Sequence, residues 1–303
     1  MCKKCEAEPV YVLQNKRKLY RSCFITYFEK KVLKTIRKYE MIDKKDVLAV
    51  GLSGGKDSMT LLYILKKLVK RTGQKIVAIA IDEGIEGYRP KTLEDAKEIC
   101  KEHNVPLAIA SYKKSFGFTL DEYLKKKNIN ACAVCGVLRR YLLNKTAREV
   151  GATKLATGHN MDDEAQSILM NQFKGNPSLS AKLGPVTGVL KHRKFVPRIK
   201  PLYLMLEKET TVYSKLKEFP VRYATCPNFK DNYRREVGII LNTMEAKYPG
   251  TKNGVVRAFL EILSKLKERF KGEAIGDCSQ CREPSAHTLC KACEMVKKYA
   301  TGG

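Results

Sequence analysis

Residues 46–65 read DVLAVGLSGGKDSMTLLYIL. The apolar run from Asp46 to Leu52 indicates a short buried strand, and the run from Met59 to Leu65 indicates an apolar helix. The Gly-rich turn between them exposes backbone N–H groups at a helix N-terminus, where hydrogen bonding and the helix dipole both favour a phosphate. The turn is not a Walker A loop, which requires G-x-x-x-x-G-K-S/T, because its glycines are adjacent and an Asp follows the Lys.

The run Ser53–Ser58 resembles the PP-loop of the ATP pyrophosphatases. That resemblance implies cleavage of ATP between its α- and β-phosphates and adenylation of a carbonyl oxygen. The alternative is a plain strand-to-helix turn, which the Lys-Asp-Ser continuation disfavours.

Strands and helices alternate along the rest of the chain, which predicts an α/β fold with a doubly wound parallel sheet. The predicted strands are Ile76–Asp82, Leu107–Ala110, Lys154–Thr157 and Val221–Ala224. The predicted helices are Thr92–Glu102, Leu138–Val150, Glu207–Phe219, Asn232–Lys247 and Val255–Arg269. Residues 175–197, rich in Gly, Pro and Lys, are predicted to be a loop region. Ligands of such folds bind at the carboxyl ends of the strands, where Ser53–Ser58 lies.

The composition favours a nucleic-acid partner. The 303 residues carry 58 Lys and Arg against 32 Asp and Glu, a net charge of +26, which suits RNA. A membrane surface fits less well, because no basic amphipathic segment stands apart from the folded pattern. No apolar run reaches the ~18 residues of a membrane helix and the N-terminus is charged, so we expect a soluble, cytoplasmic protein. The 11 cysteines, mostly in C-x-x-C pairs, indicate metal sites in a reducing compartment.

Cysteine sets at both ends predict two small zinc modules. The C-terminal set has the two-knuckle spacing of a closed tetrahedral zinc site and comprises Cys278, Cys281, Cys290 and Cys293. The N-terminal set, Cys2, Cys5 and Cys23, offers three ligands, because Tyr20 and Thr26 stand where a regular fourth would be. Zinc there would need water, an acidic side chain or another fourth ligand. The predicted domains are an N-terminal zinc-finger-like module at 1–26, a catalytic domain with a helical tail at 27–271 and a zinc ribbon at 272–303.

A third cysteine set, Cys132, Cys135 and Cys226, is predicted to meet at the carboxyl edge of the sheet. The first two precede the predicted helix at Leu138, and Cys226 follows the predicted last strand. Three thiolates are able to hold an iron–sulfur cluster with one iron left open. The alternatives are a dithiol that carries sulfur as a persulfide, and buried cysteines without a chemical role. Cys100, among the apolar residues of a helix, is predicted to be structural.

The acidic segment Gly158–Glu164 follows a predicted strand and therefore reaches the same edge. Asp162 or Asp163 would hold Mg²⁺ on the ATP phosphates or act on the substrate. The alternative is a helix cap that complements the dipole, and both hold together if Asp162 serves chemistry and Asp163 and Glu164 serve the cap. Three basic residues are candidates for neutralising pyrophosphate: Lys56, Arg139 and Arg140.

In this order, the motifs resemble one family, the tRNA 2-thiouridine synthetases of the TtuA and Ncs6 group, which are similar to TtcA. The matching segments are Ser53–Ser58, Cys132–Gly136, Gly158–Glu164, Cys226–Pro227 and the two terminal cysteine modules. The resemblance covers essentially the whole chain and implies a PP-loop ATP pyrophosphatase (HUP-like) fold. It also implies the reaction: ATP adenylates the C2 oxygen of a tRNA uridine with release of pyrophosphate, and sulfur then displaces AMP to give 2-thiouridine.

The resemblance further implies cofactors and site residues. Cys132, Cys135 and Cys226 would hold a [4Fe-4S] cluster whose open iron binds sulfur, and Asp162 matches an acidic residue near the reacting centre. The implied ATP-binding residues are Gly51, Ser53, Gly54, Gly55, Lys56, Asp57, Ser58, Ile81, Arg139, Gly158 and Asp163. The expected cofactors are ATP, Mg²⁺, the [4Fe-4S] cluster and Zn²⁺. The expected partners are tRNA and a sulfur donor, either a thiocarboxylated ubiquitin-like protein or free sulfide. The expected assembly is a homodimer without membrane contact.

The sequence departs from the family pattern at one N-terminal zinc ligand, and it leaves open which uridine is modified and which alternative functions apply. Family members usually carry four N-terminal zinc ligands, whereas Tyr20 stands at the third position and Cys23 matches the fourth. The segment Asn232–Glu236 favours the branch that modifies wobble uridine 34 over the branch that modifies T-loop uridine 54. Other functions considered are another PP-loop ligase such as a 2-thiocytidine synthetase, and a non-catalytic zinc-ribbon RNA-binding protein. The paired terminal modules argue against the cytidine enzyme.

Overall fold

A five-stranded parallel sheet lies at the centre of the molecule, in a computed structural model that describes residues 8–127, 129–188, 192–229, 232–271 and 275–301. The strands are β1 (Tyr11–Val12), β2 (Lys18–Leu19), β3 (Val47–Gly51), β4 (Lys75–Asp82), β5 (Leu107–Ser111), β6 (Lys154–Ala156), β7 (Arg198–Ile199), β8 (Gly276–Asp277) and β9 (Pro284–Ser285). The central sheet has the order β5-β4-β3-β6-β7. The strand order reverses direction between β3 and β6, which opens a crevice at their carboxyl ends. The predicted doubly wound sheet is confirmed.

Helices cover both faces of this sheet. They are α1 (Arg21–Lys38), α2 (Lys56–Thr72), α3 (Arg89–Glu102), α4 (Tyr112–Phe116), α5 (Leu120–Lys126), α6 (Ala131–Glu149), α7 (Met161–Phe173), α8 (Pro177–Ala181), α9 (Glu207–Leu216), α10 (Tyr233–Lys247), α11 (Thr251–Arg269) and α12 (Lys291–Ala300). Leu48 and Val50 of β3 pack in one core with residues of α1, α2 and α9. Ala49, between them, packs in a second core with residues of α5 and α6. Because successive side chains of a strand point to opposite faces, β3 is apolar throughout.

The fifth strand is not the one that the sequence predicts. Val221–Ala224 pairs with no strand among the described residues, and Tyr223 has a φ of 49°, in the left-handed region that a strand residue does not occupy. Instead β7 pairs with β6, and it follows the region 175–197 that is predicted to be a loop and that also contains α8. The prediction of Val221–Ala224 as the last strand is therefore wrong. The sequence does not indicate β7, because a strand of two residues gives no alternating pattern.

The helix predicted at Leu138–Val150 begins earlier. α6 starts at Ala131, where the Asn130 side chain accepts a hydrogen bond from the backbone N–H of Ala133. Cys132 and Cys135 therefore lie in the first turns of α6 rather than before the helix. The run of small residues around them carries little apolar periodicity, which is why the pattern misses this start.

Both ends of the described chain pack onto the central domain. At the N-terminal end, β1 and β2 form a hairpin that leads into α1, and Cys23 lies in the first turn of α1. Cys2 and Cys5 lie outside the described residues. At the C-terminal end, Tyr299 of α12 packs on Phe118 with ring centroids 4.3 Å apart. Within the described residues, no helix is long and apolar enough to span a membrane.

Candidate active site at the carboxyl edge of the sheet

The turn Ser53–Ser58 forms an open phosphate loop between β3 and α2. Its shape is fixed from within: the Ser53 N–H donates to Oγ of Ser58 at 3.1 Å, and Oγ of Ser58 donates to the carbonyl of Gly55 at 2.9 Å. Gly55 is the N-cap of α2, and no side chain in the described part of the chain caps this helix. The first N–H groups of α2 are thus left for a ligand, as anion binding at a helix N-terminus requires.

Lys56 and Asp57 of this loop form an ion-paired cluster. Nζ of Lys56 donates to Asp57 at 2.8 Å and to Glu207 of α9 at 2.9 Å. Burial opposes the charge of Lys56, but the two carboxylates outweigh it and raise its pKa above the ordinary value. Burial raises the pKa of Asp57, against the opposing effects of Lys56 and Asn160. Lys56 therefore remains charged beside the loop, as neutralisation of a phosphate requires.

The loop after β6 packs directly on the phosphate loop. A Cβ at Gly158 would lie 3.0 Å from backbone atoms of Asp57 and Ser58, so only glycine lets the two backbones approach this closely. The Asn160 side chain donates to Oδ1 of Asp57 at 3.2 Å. Asn160 and Asp163 also form a capping box at the start of α7. The acidic segment is thus both a helix cap and one wall of the phosphate site.

Asp162 and Asp163 have different surroundings. Oδ2 of Asp162 accepts the N–H of Glu207 at 2.8 Å, and Oδ1 accepts the ammonium of Lys252 on α11. Both oxygens of this buried carboxylate are therefore engaged by other helices. Asp163 is only partly buried and lies 3.5 Å from Arg234. Burial raises the pKa of Asp163 to about 6, with Arg234 opposing the rise.

The three central cysteines gather where α6 begins. The hydroxyl of Tyr112 donates to the carbonyl of Cys135 at 2.9 Å and lies 3.7 Å from its sulfur. Sγ of Cys132 lies 3.7 Å from the carbonyl of Asn228, two residues beyond Cys226. Burial raises the pKa of the Cys135 thiol, and Arg139, one turn further along α6, opposes that rise. Three partly buried thiols beside a cation fit a group that binds thiolates.

The remaining predicted ATP-binding residues lie at the same edge. Gly51 ends β3, and Ile81 is a buried residue near the end of the neighbouring β4. Arg139 lies 3.8 Å from Glu83, which directly follows β4. The exposed Arg140 follows Arg139, and burial lowers its pKa. The structure therefore brings the phosphate loop, the acidic segment and the cysteines to one edge of the sheet.

Sequence patterns miss the residues that hold these pieces in place. Arg222, four residues before Cys226, donates from Nε to Asp95 of α3 at 2.7 Å and reaches Glu94 at 3.2 Å. Asp95 is buried, whereas the Glu94 side chain is 66% exposed. This ion pair holds the segment that carries Cys226 against α3. No motif signals it, because the partners lie 127 residues apart.

The C-terminal cysteines form a separate four-sulfur site. Their sulfur atoms all lie within 4.8 Å of one another, and among the described residues no other such group of potential metal ligands occurs. The N–H of Cys290 donates to Sγ of Cys278 at 3.2 Å. Backbone N–H donors outweigh burial and lower the pKa of Cys278 to about 6. An ion pair between Arg148 of α6 and Glu283 joins this module to the helix that carries Cys132 and Cys135.

A phosphate loop of this kind in a parallel α/β sheet defines the class of the protein. Residues 25–237 match the PP-loop domain family. The chain is 34% identical over 314 residues to the tRNA 2-thiolation protein NcsA of Haloferax volcanii, covering 98% of each chain. It is 35% identical over 296 residues to the tRNA-5-methyluridine(54) 2-sulfurtransferase of Pyrococcus horikoshii, covering 97% of this chain and 93% of the relative.

A solved structure agrees with these relatives. The U34-tRNA thiolase NcsA of Methanococcus maripaludis, with its [4Fe-4S] cluster, superimposes with a TM-score of 0.84 at 34% identity and covers 98% of this chain and 95% of that one. The chain therefore belongs to the PP-loop family of tRNA 2-thiolation enzymes, and the predicted resemblance is confirmed. The predicted cytoplasmic location agrees with eukaryotic relatives, which are named cytoplasmic tRNA 2-thiolation protein 1.

Proposed function

We propose that this protein is an ATP-dependent tRNA sulfurtransferase that converts a uridine to 2-thiouridine. The observation that carries the proposal is the convergence of the phosphate loop and three thiols at one sheet edge. The uridine C2 oxygen attacks the α-phosphorus of ATP and pyrophosphate leaves. A sulfur nucleophile then adds to C2, and AMP leaves with the former C2 oxygen. Two similar relatives are named for tRNA 2-thiolation and tRNA 2-sulfurtransfer, which supports this substrate class.

The residues of the chain divide this work. The N–H groups of the first turn of α2 bind the phosphates, while Lys56 and Arg139 offset the charge of the leaving pyrophosphate. Because the Asp162 side chain is only 7% exposed and pairs with Lys252, whereas that of Asp163 is 35% exposed, we propose Asp163 as the carboxylate that faces the nucleotide and supplies an oxygen ligand for Mg²⁺. Asp162 then orders the start of α9 and α11 around the site. This reassigns the chemistry predicted for Asp162.

The donor set at the start of α6 fits an iron–sulfur cluster. Cys132, Cys135 and Cys226 are the proposed ligands, and a [4Fe-4S] cluster held by them would supply an open iron that binds sulfur. The sulfur atoms of these three cysteines do not all lie within 4.8 Å of one another, as those of the C-terminal set do. Ligands spaced this widely fit a cluster of several iron atoms better than a single zinc ion. A [4Fe-4S] cluster occurs in the structure of the Methanococcus maripaludis relative.

The ion pair of Arg222 with Asp95 gives a first prediction about this centre. Asp95→Asn is expected to lower the iron content of the anaerobically purified protein by at least about half, since a hydrogen bond to a charged group contributes about 2 kcal/mol. The control is Glu94→Gln, which alters only the exposed partner of the same arginine and should keep normal iron. Iron and protein are quantified together. Equal iron content in the two variants would contradict a role for this pair.

For the C-terminal cysteines we propose structural zinc. Zn–S bonds of about 2.3 Å in a tetrahedron place sulfurs about 3.8 Å apart, compatible with the close packing of these four. Cys290→Ser is expected to reduce zinc to less than about half per chain and to make residues 275–301 sensitive to protease, because metal binding stabilises such modules. The control is His287→Ala, at an exposed position outside the four-sulfur set. Unchanged zinc content in Cys290→Ser would refute this assignment.

The finer features of the reaction are also proposals. We favour wobble uridine 34, because Arg234, in the segment Asn232–Glu236 that favours this branch, contacts Asp163 in the site. The proposed sulfur donor is a thiocarboxylated ubiquitin-like protein or free sulfide. A homodimer is proposed with support from exposed apolar side chains on α10, of which Ile239 and Ile240 are 49% and 51% exposed. The division into 1–26, 27–271 and 272–303 also remains a proposal, and α1 crosses its first boundary.

One experiment tests the central proposal. The reconstituted protein is incubated anaerobically with ATP, Mg²⁺, sulfide and an unmodified tRNA transcript, and the nucleosides are mapped by mass spectrometry. The expected products are tRNA-dependent AMP and pyrophosphate, with 2-thiouridine at position 34. Thiolation at position 54 would redirect the target, thiolated cytidine would assign a different ligase, and no tRNA-dependent AMP would overturn the enzyme proposal.

The net charge of +26 predicts salt-sensitive tRNA binding. If about six phosphates are contacted, the association constant should fall about 10³-fold between 50 and 200 mM salt, because the release of counterions that favours binding gains less entropy at higher salt. Fluorescence titrations with labelled tRNA at several salt concentrations measure this slope. Affinity that stays constant over that range would exclude a basic RNA-binding face.

A further inference from the structure

A buried ion pair, Glu83 with Arg89, lies between the phosphate loop and the three cysteines. Glu83 directly follows β4, and one of its carboxylate oxygens lies 2.9 Å from Nε of Arg89. The side chain of Arg89 is 4% exposed and that of Glu83 is 5% exposed. Transferring two charges from water into a protein interior costs free energy unless their mutual attraction and further hydrogen bonds compensate for the lost hydration. Such pairs are therefore often retained for a role other than stability.

Arg89 anchors this pair to the phosphate loop. Its Nη1 donates to the carbonyl of Ser53 at 2.7 Å and to Oγ1 of Thr92 at 3.1 Å. Ser53 is the first residue of the loop, and Thr92 lies on the first turn of α3 against Gly54. The position of the Glu83 carboxylate is therefore set relative to the backbone that binds the phosphates.

The second oxygen of Glu83 reaches the cysteine side. It lies 3.8 Å from Nη1 of Arg139, whose own side chain is 48% exposed. Arg139 lies one helical turn after Cys135. One carboxylate is thus shared by a buried guanidinium fixed to the loop and an exposed guanidinium beside the thiols.

We propose that Glu83 is a positioning residue that holds the guanidinium of Arg139 between the cysteines and the phosphate loop, with Arg89 as the fixed end of the bridge. The inference rests on the proposed function, because Arg139 is the group that meets the charge of the leaving phosphates. A cation that is oriented in advance stabilises this charge without reorganising during the reaction.

The kinetic test compares Glu83→Gln with Glu86→Gln in the reconstituted full-length protein. Glu86 is an exposed residue of the same segment and serves as the matched control. In Glu83→Gln, kcat for thiolation should fall about tenfold or more, since misplacement of a reacting group costs this much. KM for ATP should change less than about threefold, because Arg89 keeps its bond to the Ser53 backbone. Wild-type kcat in Glu83→Gln would overturn the proposal.

A double-mutant comparison separates positioning from lost stability. If Glu83 acts through Arg139, then Glu83→Gln combined with Arg139→Ala should be no slower than Arg139→Ala alone. Glu83→Gln combined with Arg89→Gln removes both buried charges and keeps the fold testable, and its kcat should stay low. Losses that multiply in the first pair, or a restored kcat in the second, would refute the positioning role.

A chemical readout is independent of the thiolation assay. Arg139 in the protein without cluster should react with phenylglyoxal several-fold faster in Glu83→Gln than in Glu86→Gln, as followed by peptide mass spectrometry. Equal reactivity would refute the bridge even if the enzyme is active. Absence of thiolation by both the wild type and Glu86→Gln would instead refute the proposed function, while the labelling would still decide the bridge.

Discussion

Cys226→Ala is expected to abolish thiolation while leaving ATP binding intact. Cys226 is the only one of the three central cysteines outside α6, so its loss leaves two neighbouring thiols of one helix. Groups that act as a unit lose function together, and we expect the rate to fall at least about 10³-fold. In the described part of the chain, the hydrogen bonds that join the phosphate loop to other elements come from Arg89, Glu207 and Asn160 rather than from Cys226, so affinity for an ATP analogue should change less than about twofold.

Cys100→Ala is the matched control for this loss. Cys100 is a cysteine of α3 that is 3% exposed, and burial raises the pKa of its thiol to about 11. Its replacement should cost about 1 kcal/mol of stability and leave thiolation and visible cluster absorption unchanged. Measurements on both variants are thiolated nucleoside yield, visible absorption and calorimetric ATP-analogue affinity. Thiolation by Cys226→Ala at the wild-type rate would exclude the three-thiol centre.

The parts of the fold that the sequence predicts are those with a local signal. β3 and the start of α2 flank a Gly-rich turn and are largely buried, so each is a run of apolar residues that the local sequence alone reveals. β7 has two residues between Pro197 and Lys200, too few for any periodicity. Val221–Ala224 has strand-forming residues, but contact with α3 through Arg222 holds it in another conformation. Tertiary contact overrides propensity at both places.

In the candidate site, too, the features with a local sequence signal are predictable and those set by tertiary contacts are not. Residues that end strands are predictable, because parallel strands deliver their carboxyl ends to one edge. The roles of Asp162 and Asp163 are not, since adjacent helical residues point about 100° apart and only the packing of α9 and α11 decides which carboxylate is covered. Glu83 and Arg89 carry no motif because their partners come from other elements of the fold.

Gly54→Ala is expected to weaken ATP binding at least about a hundredfold, which corresponds to about 2.7 kcal/mol. Gly54 has a φ of 84°, which disfavours any residue with a Cβ. A Cβ there would also lie 2.3 Å from the carbonyl oxygen of Thr92, closer than any real contact. Because Thr92 is backbone of α3, the loop must move instead, and its N–H groups then no longer converge on the phosphates. Calorimetric titration with an ATP analogue measures the loss.

Gly73→Ala separates the steric effect from backbone strain. Gly73 has the same φ of 84°, at the C-cap of α2, but a Cβ there meets nothing within 4 Å. This variant should lose about 1 kcal/mol of stability and keep its affinity for the ATP analogue. Strain alone would make the two variants alike, whereas the clash with Thr92 makes only Gly54→Ala defective. If Gly54→Ala binds the analogue as tightly as Gly73→Ala does, the loop is not the phosphate site.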